Sequence, residues 1–203
     1  TLLENTIMQF GETFGDKLYS CDVTNETWDG YGPAWLRKLP FMSIIPEAGG
    51  HLRPNIFLRA LGKEWLRIAY RAADAVMPNT KLTFGEFGLE LDPDYRAKDV
   101  FGLIDYVRAG GGRVDMVGSQ THISFPGSVV QQKNYQTLVG YARDAGVGLR
   151  FSEVDVTPLV GSMKQAEQFC LPLEIALENP DVVDAYSLWG SNDYDASQAY
   201  KNI

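Results

Sequence analysis

Four apolar segments, at residues 81–87, 114–123, 148–156 and 182–189, begin 33 or 34 residues apart, and a stretch with helical spacing separates each from the next. Strands that alternate with helices at this interval pair in parallel through right-handed crossovers. A tandem solenoid would also be periodic, but no sequence motif repeats at that interval. A fifth strand is expected at 17–25, behind a helix tail carrying Leu2, Leu3, Ile7, Met8 and Phe10 and ending among Gly11–Gly15. A long, aromatic connection at 27–54 follows it. The clearest helix spans 55–77, where Ile56, Leu58, Leu61, Trp65, Leu66, Ala69, Ala72 and Val76 recur near helical spacing and Pro78 stops it.

The other helices carry their own boundary signals. Pro93 suits the first turn of a helix to 109, which Gly110-Gly111-Gly112 ends. Ser128 with Gln131 forms a possible capping box for a helix to 145, closed by Gly146. Ser162 with Gln165 opens a helix to 178, and Pro172 inside it is expected to kink or split it.

The polar residues that could carry chemistry all fall at C-terminal strand ends: Asn25, Glu26, Glu86, Gln120, His122, Glu153, Asp155 and Trp189. A (β/α)₈ TIM barrel keeps its active site there. Five strands are too few for eight, and an open sheet of this pattern would expose apolar edges. The expected fold is therefore α/β, strands 4–8 of a TIM barrel, with the first three βα units missing from the given chain. Residues 1–203 would form a single partial catalytic barrel domain. A doubly wound open sheet is the alternative.

Composition narrows the partners. With a formal net charge of −8 over 203 residues, nucleic acid and anionic membrane are disfavoured, since either calls for a basic patch. No apolar run could span a bilayer, and no signal peptide is visible in the given sequence. Cys21 and Cys170 match neither a metal motif nor a disulfide framework and are expected to be buried thiols. Two histidines, His51 and His122, make a multi-histidine metal site unlikely to be found here.

Glu153 and Asp155 stand two apart on one strand, and alternation sends them to one face. Glu26 ends another strand. Two carboxylates across a cleft are the minimal machinery for cleaving a glycosidic bond. One must be protonated and the other ionised, so their surroundings must separate their pKa values. A relay from Asp155 through His122 to Glu153 would orient a nucleophile and favour its charged form. The alternative for His122 is a satisfied core histidine.

These residues resemble a known family. Asp22-Val-Thr-Asn25-Glu26 is similar to the Asp-Val-Val-Asn-Glu motif of glycoside hydrolase family 10, the retaining endo-β-1,4-xylanases. Gly118-Ser-Gln120-Thr-His122 resembles its Gln-Ser-His strand, and Ser152-Glu153-Val154-Asp155 its Thr-Glu-Leu-Asp nucleophile strand. Trp189-Gly190 with Asp193 resembles its Trp-Gly-x-x-Asp strand. The four matches occur in the family's order.

By this resemblance Glu26 is the general acid/base and Glu153 the nucleophile. Asn25 binds near the nucleophile and the sugar 2-hydroxyl. Gln120 and His122 contact the nucleophile or sugar, and Asp155 supports His122. Trp189 offers a platform for a sugar ring, the alternative being barrel core. The implied activity is retaining hydrolysis of internal β-1,4 linkages of xylan, with no metal or organic cofactor and with secretion. The implied partners are a xylan-like polysaccharide and a missing N-terminal segment or second chain that completes the barrel. A related β-glycanase with another polysaccharide, or a non-catalytic carbohydrate-binding or assembly half-barrel, are the alternatives. A nucleotide-binding open sheet lacks support, because Gly110-Gly111-Gly112 precedes a strand where a phosphate loop should follow one.

The sequence also departs from the family. Cys21 stands where the family usually has Trp, and Gly85-Glu86-Phe87-Gly88 replaces Asn-Asp-Tyr-Asn. The tail lacks the family's second tryptophan. The lysine, histidine and asparagine that the family's first three strands supply cannot be assigned. Trp28, Tyr31 and Trp35 in the long connection either build part of the cleft or pack the loop on itself.

Overall fold

The computed structural model describes residues 1–28, 52–123, 129–157 and 162–190. Tyr31, Trp35, Ser128 and the tail from 191 on lie outside them. By contacts the chain groups into two compact units, residues 1–86 with 99–115, and residues 87–98 with 116–203.

The first unit begins with α1 (Leu2–Phe14), whose Glu4 N–H donates to the Thr1 hydroxyl in a capping box. A 3₁₀ turn leads into β1 (Ser20–Asn25), a shorter strand than the expected 17–25. The helix expected at 55–77 is two: α2 (Ile56–Leu61) and α3 (Glu64–Val76). They part at Gly62, whose φ of +59° suits glycine and stops α2. Asn55 caps α2 by accepting from Leu58 N–H at 2.8 Å. After α3 comes β2 (Lys81–Glu86), which pairs with β1 in parallel from Ser20↔Lys81 to Asn25↔Gly85.

Tyr70 ties α3 to both strands. Its buried hydroxyl donates to Thr83 O at 2.9 Å and lies 3.0 Å from the Thr24 hydroxyl. At the other strand end Arg113 donates to Asp74 (2.6 Å), Met77 O (2.8 Å) and Thr80 O (3.1 Å). The same guanidinium bonds Asp115, whose carboxylate accepts from Leu82 N–H at 2.7 Å. The start of β2 is thereby pinned to the end of α3. Most of α4 (Lys98–Ala109) belongs to this unit. The helix expected from Pro93 opens instead with a π-helical turn, Pro93–Ala97.

The second unit is built on β5 (Gly148–Val156), flanked on one side by β3 (Met116–Ser119) and β4 (His122–Ile123) and on the other by β6 (Val183–Leu188), all parallel. The single strand expected at 114–123 is therefore two, because the backbone turns left-handed at Thr121, with φ +63°. Helices α5 (Gln132–Ala145) and α6 (Ser162–Glu178) complete the unit. Gly146 ends α5 in the left-handed conformation. Pro172 does not split α6, which is assigned unbroken through it. Cys21 is half-buried and Cys170 exposed, so the expectation of two buried thiols fails for Cys170; its helix position faces solvent.

Pairing in this unit slips first between Leu149↔Val183 and Arg150↔Ala185, where Asp184 is extra on β6, and again in the middle of β5. Between Ser119↔Phe151 and His122↔Asp155, the two residues Gln120 and Thr121 lie opposite three, Ser152, Glu153 and Val154. Between Phe151↔Tyr186 and Val154↔Leu188, the one residue Ser187 lies opposite two, Ser152 and Glu153. β5 thus carries an extra residue at Ser152–Glu153 against both neighbours, which is a β-bulge. Burial changes across it: Leu149 and Phe151 alternate with less buried neighbours, Ser152 and Glu153 are both partly exposed, and Val154, Asp155 and Val156 are all buried.

Candidate active site

Asn25 and Glu26 lie in the first unit; Gln120, His122, Glu153, Asp155 and Trp189 lie in the second.

In the first unit β1 also carries a slip, with Asp22 opposite Thr83 but Thr24 opposite Phe84, so Val23 is the extra residue. Asn25 and Glu26 follow directly. Glu26 has φ +50°, a strained value for a residue with a Cβ. Its N–H donates to Gly85 O at 3.1 Å, and its carboxylate accepts from Arg53 Nη1 at 2.6 Å. Arg53 is held in turn by its own N–H, which donates to Thr27 O at 2.7 Å. Beside them Gly85 gives the Asn25 side chain room: a Cβ at Gly85 would stand 2.6 Å from Asn25 Oδ1.

Glu86 is fully buried and accepts from Trp28 N–H at 2.8 Å. Trp28 is also fully buried, bridges to Leu52 and donates through its indole to Asp99 at 3.1 Å. Of the two roles open to Trp28, packing at the base of the connection is the one it fills. Glu86 takes part in that packing.

In the second unit His122 stands between two carboxylates. Its Nδ1 is 2.7 Å from Asp155 Oδ1, and its Nε2 is 3.3 Å from Glu153 Oε2. Burial of the imidazole works against its charged form. The hydrogen bond to Asp155, then the charges of Asp155 and Glu153, outweigh that and raise its pKa above the usual 6.5. Trp189 is 53% exposed and meets the His122 ring edge-on, with centroids 6.2 Å apart. Gln120 is buried in the break between β3 and β4.

The family model described as glycosyl hydrolase family 10 matches residues 1–200. The chain belongs to glycosyl hydrolase family 10. It is 33% identical over 116 residues to endo-1,4-beta-xylanase 5 of Pyricularia oryzae, covering 56% of this chain and 28% of that protein. It is 28% identical over 165 residues to endo-1,4-beta-xylanase B of Thermotoga neapolitana, covering 77% of this chain and 46% of that one. The chain thus spans less than half the length of these relatives. Among solved structures, Penicillium canescens endo-1,4-beta-xylanase XylE matches with TM-score 0.77 at 20% identity, covering 94% of this chain and 55% of that one. Native xylanase 10B from Thermotoga maritima matches with TM-score 0.74 at 25% identity, over 93% and 54%. The expected partial (β/α)₈ barrel is therefore the fold, and the doubly wound open sheet is not.

Sequence reading missed Arg53, Asp99, Ser119 and Glu90. Arg53 sits in a long connection where spacing carries no signal, and only its place before Pro54 at a helix start marked it. Glu90 was hidden in an apolar run, Leu89-Glu90-Leu91, where a lone acid reads as a solvated turn. It is fully buried and accepts from the Ser119 hydroxyl at 2.7 Å.

Proposed function

We propose that this chain contributes the acid/base and nucleophile strands to a retaining glycoside hydrolase that cleaves internal β-1,4 linkages of xylan. The observation that carries the reading is the contact of His122 Nε2 with Glu153 at 3.3 Å, at a strand-end bulge, in a member of family 10. A protonated imidazole beside Glu153 favours the ionised carboxylate that a nucleophile needs. Asp155 fixes the ring from its other nitrogen.

In the first step Glu26 gives its proton to the leaving oxygen while a Glu153 oxygen bonds to the anomeric carbon and the glycosidic C–O bond breaks. In the second step Glu26, now ionised, takes a proton from water, whose oxygen displaces Glu153 and restores both carboxyls. Asn25 contacts the sugar 2-hydroxyl and Trp189 packs against a pyranose face. Gln120 contacts the nucleophile or the sugar. Residues 1–203 serve one catalytic domain, completed by further barrel strands from the same polypeptide or another chain. Secretion follows from a polymeric substrate outside the cell.

The parent polypeptide should release a product whose anomeric configuration is retained, read by proton NMR at early times. A 2-fluoro xylobioside with a good leaving group should label Glu153, read by mass spectrometry of peptides. Inversion, or labelling elsewhere, would refute the assignment.

The buried Glu86–Trp28 contact favours a second reading within the same chemistry. Glu86 and its neighbours replace the amides and phenol of the family's segment, so on this reading the leaving-group side is altered and the preferred polysaccharide is another β-glycan. Parallel assays on xylan, mixed-linkage glucan and mannan separate the two. Saccharide binding without turnover, unaffected by Glu26→Gln and Glu153→Gln, would instead mark a binding module.

A further inference from the structure

Glu90 occupies the turn after β2, on the second unit's side of the boundary, and is fully buried. Asn134 on α5 holds that turn, donating to Glu90 O at 2.9 Å and Leu91 O at 3.3 Å. The Glu90 carboxyl accepts from the Ser119 hydroxyl at 2.7 Å through Oε2, and Oε1 has no hydrogen-bond partner among the described residues. Nothing in glycosidic cleavage as set out above uses this acid. A buried carboxyl with one oxygen unengaged persists only where its position matters.

Ser119 is the last residue of β3 and stands where the pairing slips. Its carbonyl accepts from the Thr121 hydroxyl at 3.2 Å and the Ser152 hydroxyl at 3.4 Å. Thr121 is the buried residue held left-handed, and its own carbonyl accepts from Asp155 N–H at 3.4 Å. Ser152 precedes Glu153 in the bulge. A β-branched residue stays left-handed only when its surroundings impose that conformation. One residue, Ser119, therefore connects the buried acid, through its hydroxyl, to the strand break and the bulge, through its carbonyl.

We propose that Glu90 is a positioning residue: by anchoring Ser119 it fixes the break between β3 and β4, and with it the place where His122 meets Asp155 and Glu153. Its relevance to catalysis rests on the glycosidase reading; its effect on His122 does not. Burial raises the Glu90 pKa, against the weaker opposing effects of the Ser119 hydrogen bond and of Arg96 and His122. The groups that bear on this pair are Asp155 and Glu153 on β5, Arg96 on the π-helical turn and the buried Tyr135 on α5.

The test uses the parent polypeptide, in which the ¹⁵N imidazole signals lost on His122→Gln identify those of His122. Three variants are compared with the parent sequence across pH 5–9: Glu90→Gln, Glu90→Leu and Ser119→Ala. Glu90→Gln keeps an acceptor for Ser119 and should leave the His122 titration and its Nδ1–H signal in place. Glu90→Leu and Ser119→Ala should both lower the His122 midpoint and weaken that signal. The proposal is overturned if either variant keeps the parent amide spectrum together with parent His122 signals. It is equally overturned if Glu90→Gln disturbs His122 as much as Glu90→Leu does. Should Glu90→Leu fail to fold, Ser119→Ala decides. Loss of fold in both would make Glu90 a general core residue and also overturn it. Failure of the parent polypeptide to cleave xylan would sink the glycosidase reading while leaving these spectra unchanged.

Discussion

Asp155→Asn isolates the charge that holds His122. Asparagine keeps the shape and an oxygen acceptor, so it removes the charge and little else. The contact is 2.7 Å, with 11% of the Asp155 side chain and 26% of the His122 side chain exposed, so solvent screens it little. A hydrogen bond to a charged group contributes about 1.5–3 kcal/mol and a neutral one about 0.5–1.5, so the variant should lose about 1–2 kcal/mol. For a chain of this size that is roughly 2–8 °C in Tm. The pH dependence gives the sharper check. The folded pKa of His122 is raised, so the stability it contributes is complete below the unfolded value near 6.5 and is lost as pH rises through the folded value. Asp155→Asn removes the main source of that rise. The gap between the two proteins in urea unfolding should be widest near pH 6 and clearly smaller at pH 9. A gap that stays constant or widens with pH would show that the pair contributes through packing and not through charge. In a His122→Ala background the effect should largely vanish.

Three further substitutions test other parts of the structure. Gly85→Ala places a Cβ 2.6 Å from Asn25 Oδ1 and 3.3 Å from Thr24 O. The side chain can swing away, so stability should change by no more than about 1 kcal/mol while kcat/KM of the parent polypeptide falls about tenfold, about 1.4 kcal/mol in free energy; unchanged kinetics would remove Asn25 from the site. Glu26→Gly relieves a left-handed residue worth about 1–2 kcal/mol and gives back part of it in unfolded-chain entropy, so the urea midpoint should rise although activity is lost. A fall would mean that the Arg53 contact outweighs the strain. Gly11→Ala sets a Cβ 2.2 Å from Val76 Cγ2 where α1 crosses α3, and thermal unfolding should show a loss of about 1–3 kcal/mol.

Regular elements were legible where one period governs the chain. β5 and α6 match their expected bounds, because an apolar run between turn signals and an apolar face at helical spacing leave little freedom. Where a single residue leaves the regular conformation the pattern gave no sign. Gly62 divides one expected helix and Thr121 one expected strand. Thr121 is the more instructive, since a β-branched residue inside an apolar run reads as strand on propensity alone. What holds it left-handed is local and tertiary together: its hydroxyl donates to Ser119 O two residues before it, and its carbonyl accepts from Asp155 N–H on β5. The same limit hid Glu90. Its burial is fixed by Ser119 and by Asn134, far from it in sequence.

The two bulges explain why the acids could be recognised by type but not by direction. Strict alternation along β5 would give Glu153 and Asp155 the face of Leu149 and Phe151, which is buried. A carboxylate sent there without a partner would be strongly disfavoured. The extra residue at Ser152–Glu153 breaks that phase, leaving 17% of the Glu153 side chain exposed, while Val154, Asp155 and Val156 are all buried, Asp155 with His122 as its partner. β1 repeats the device with Val23, immediately before Asn25 and Glu26. In each unit, then, an irregularity precedes the acid, and a non-glycine residue with positive φ stands beside it: Glu26 itself in one and Thr121 in the other. Strand regularity is given up where a charged group must leave the core, and the ion pairs with Arg53 and His122 then hold each carboxylate in its new direction. Deleting Val23 tests this: restoring regular pairing should leave β1 folded, turn the following residues through one face, and separate Glu26 from Arg53. Retention of that ion pair in a crystal structure of the deletion variant would show that the loop, and not the bulge, aims Glu26.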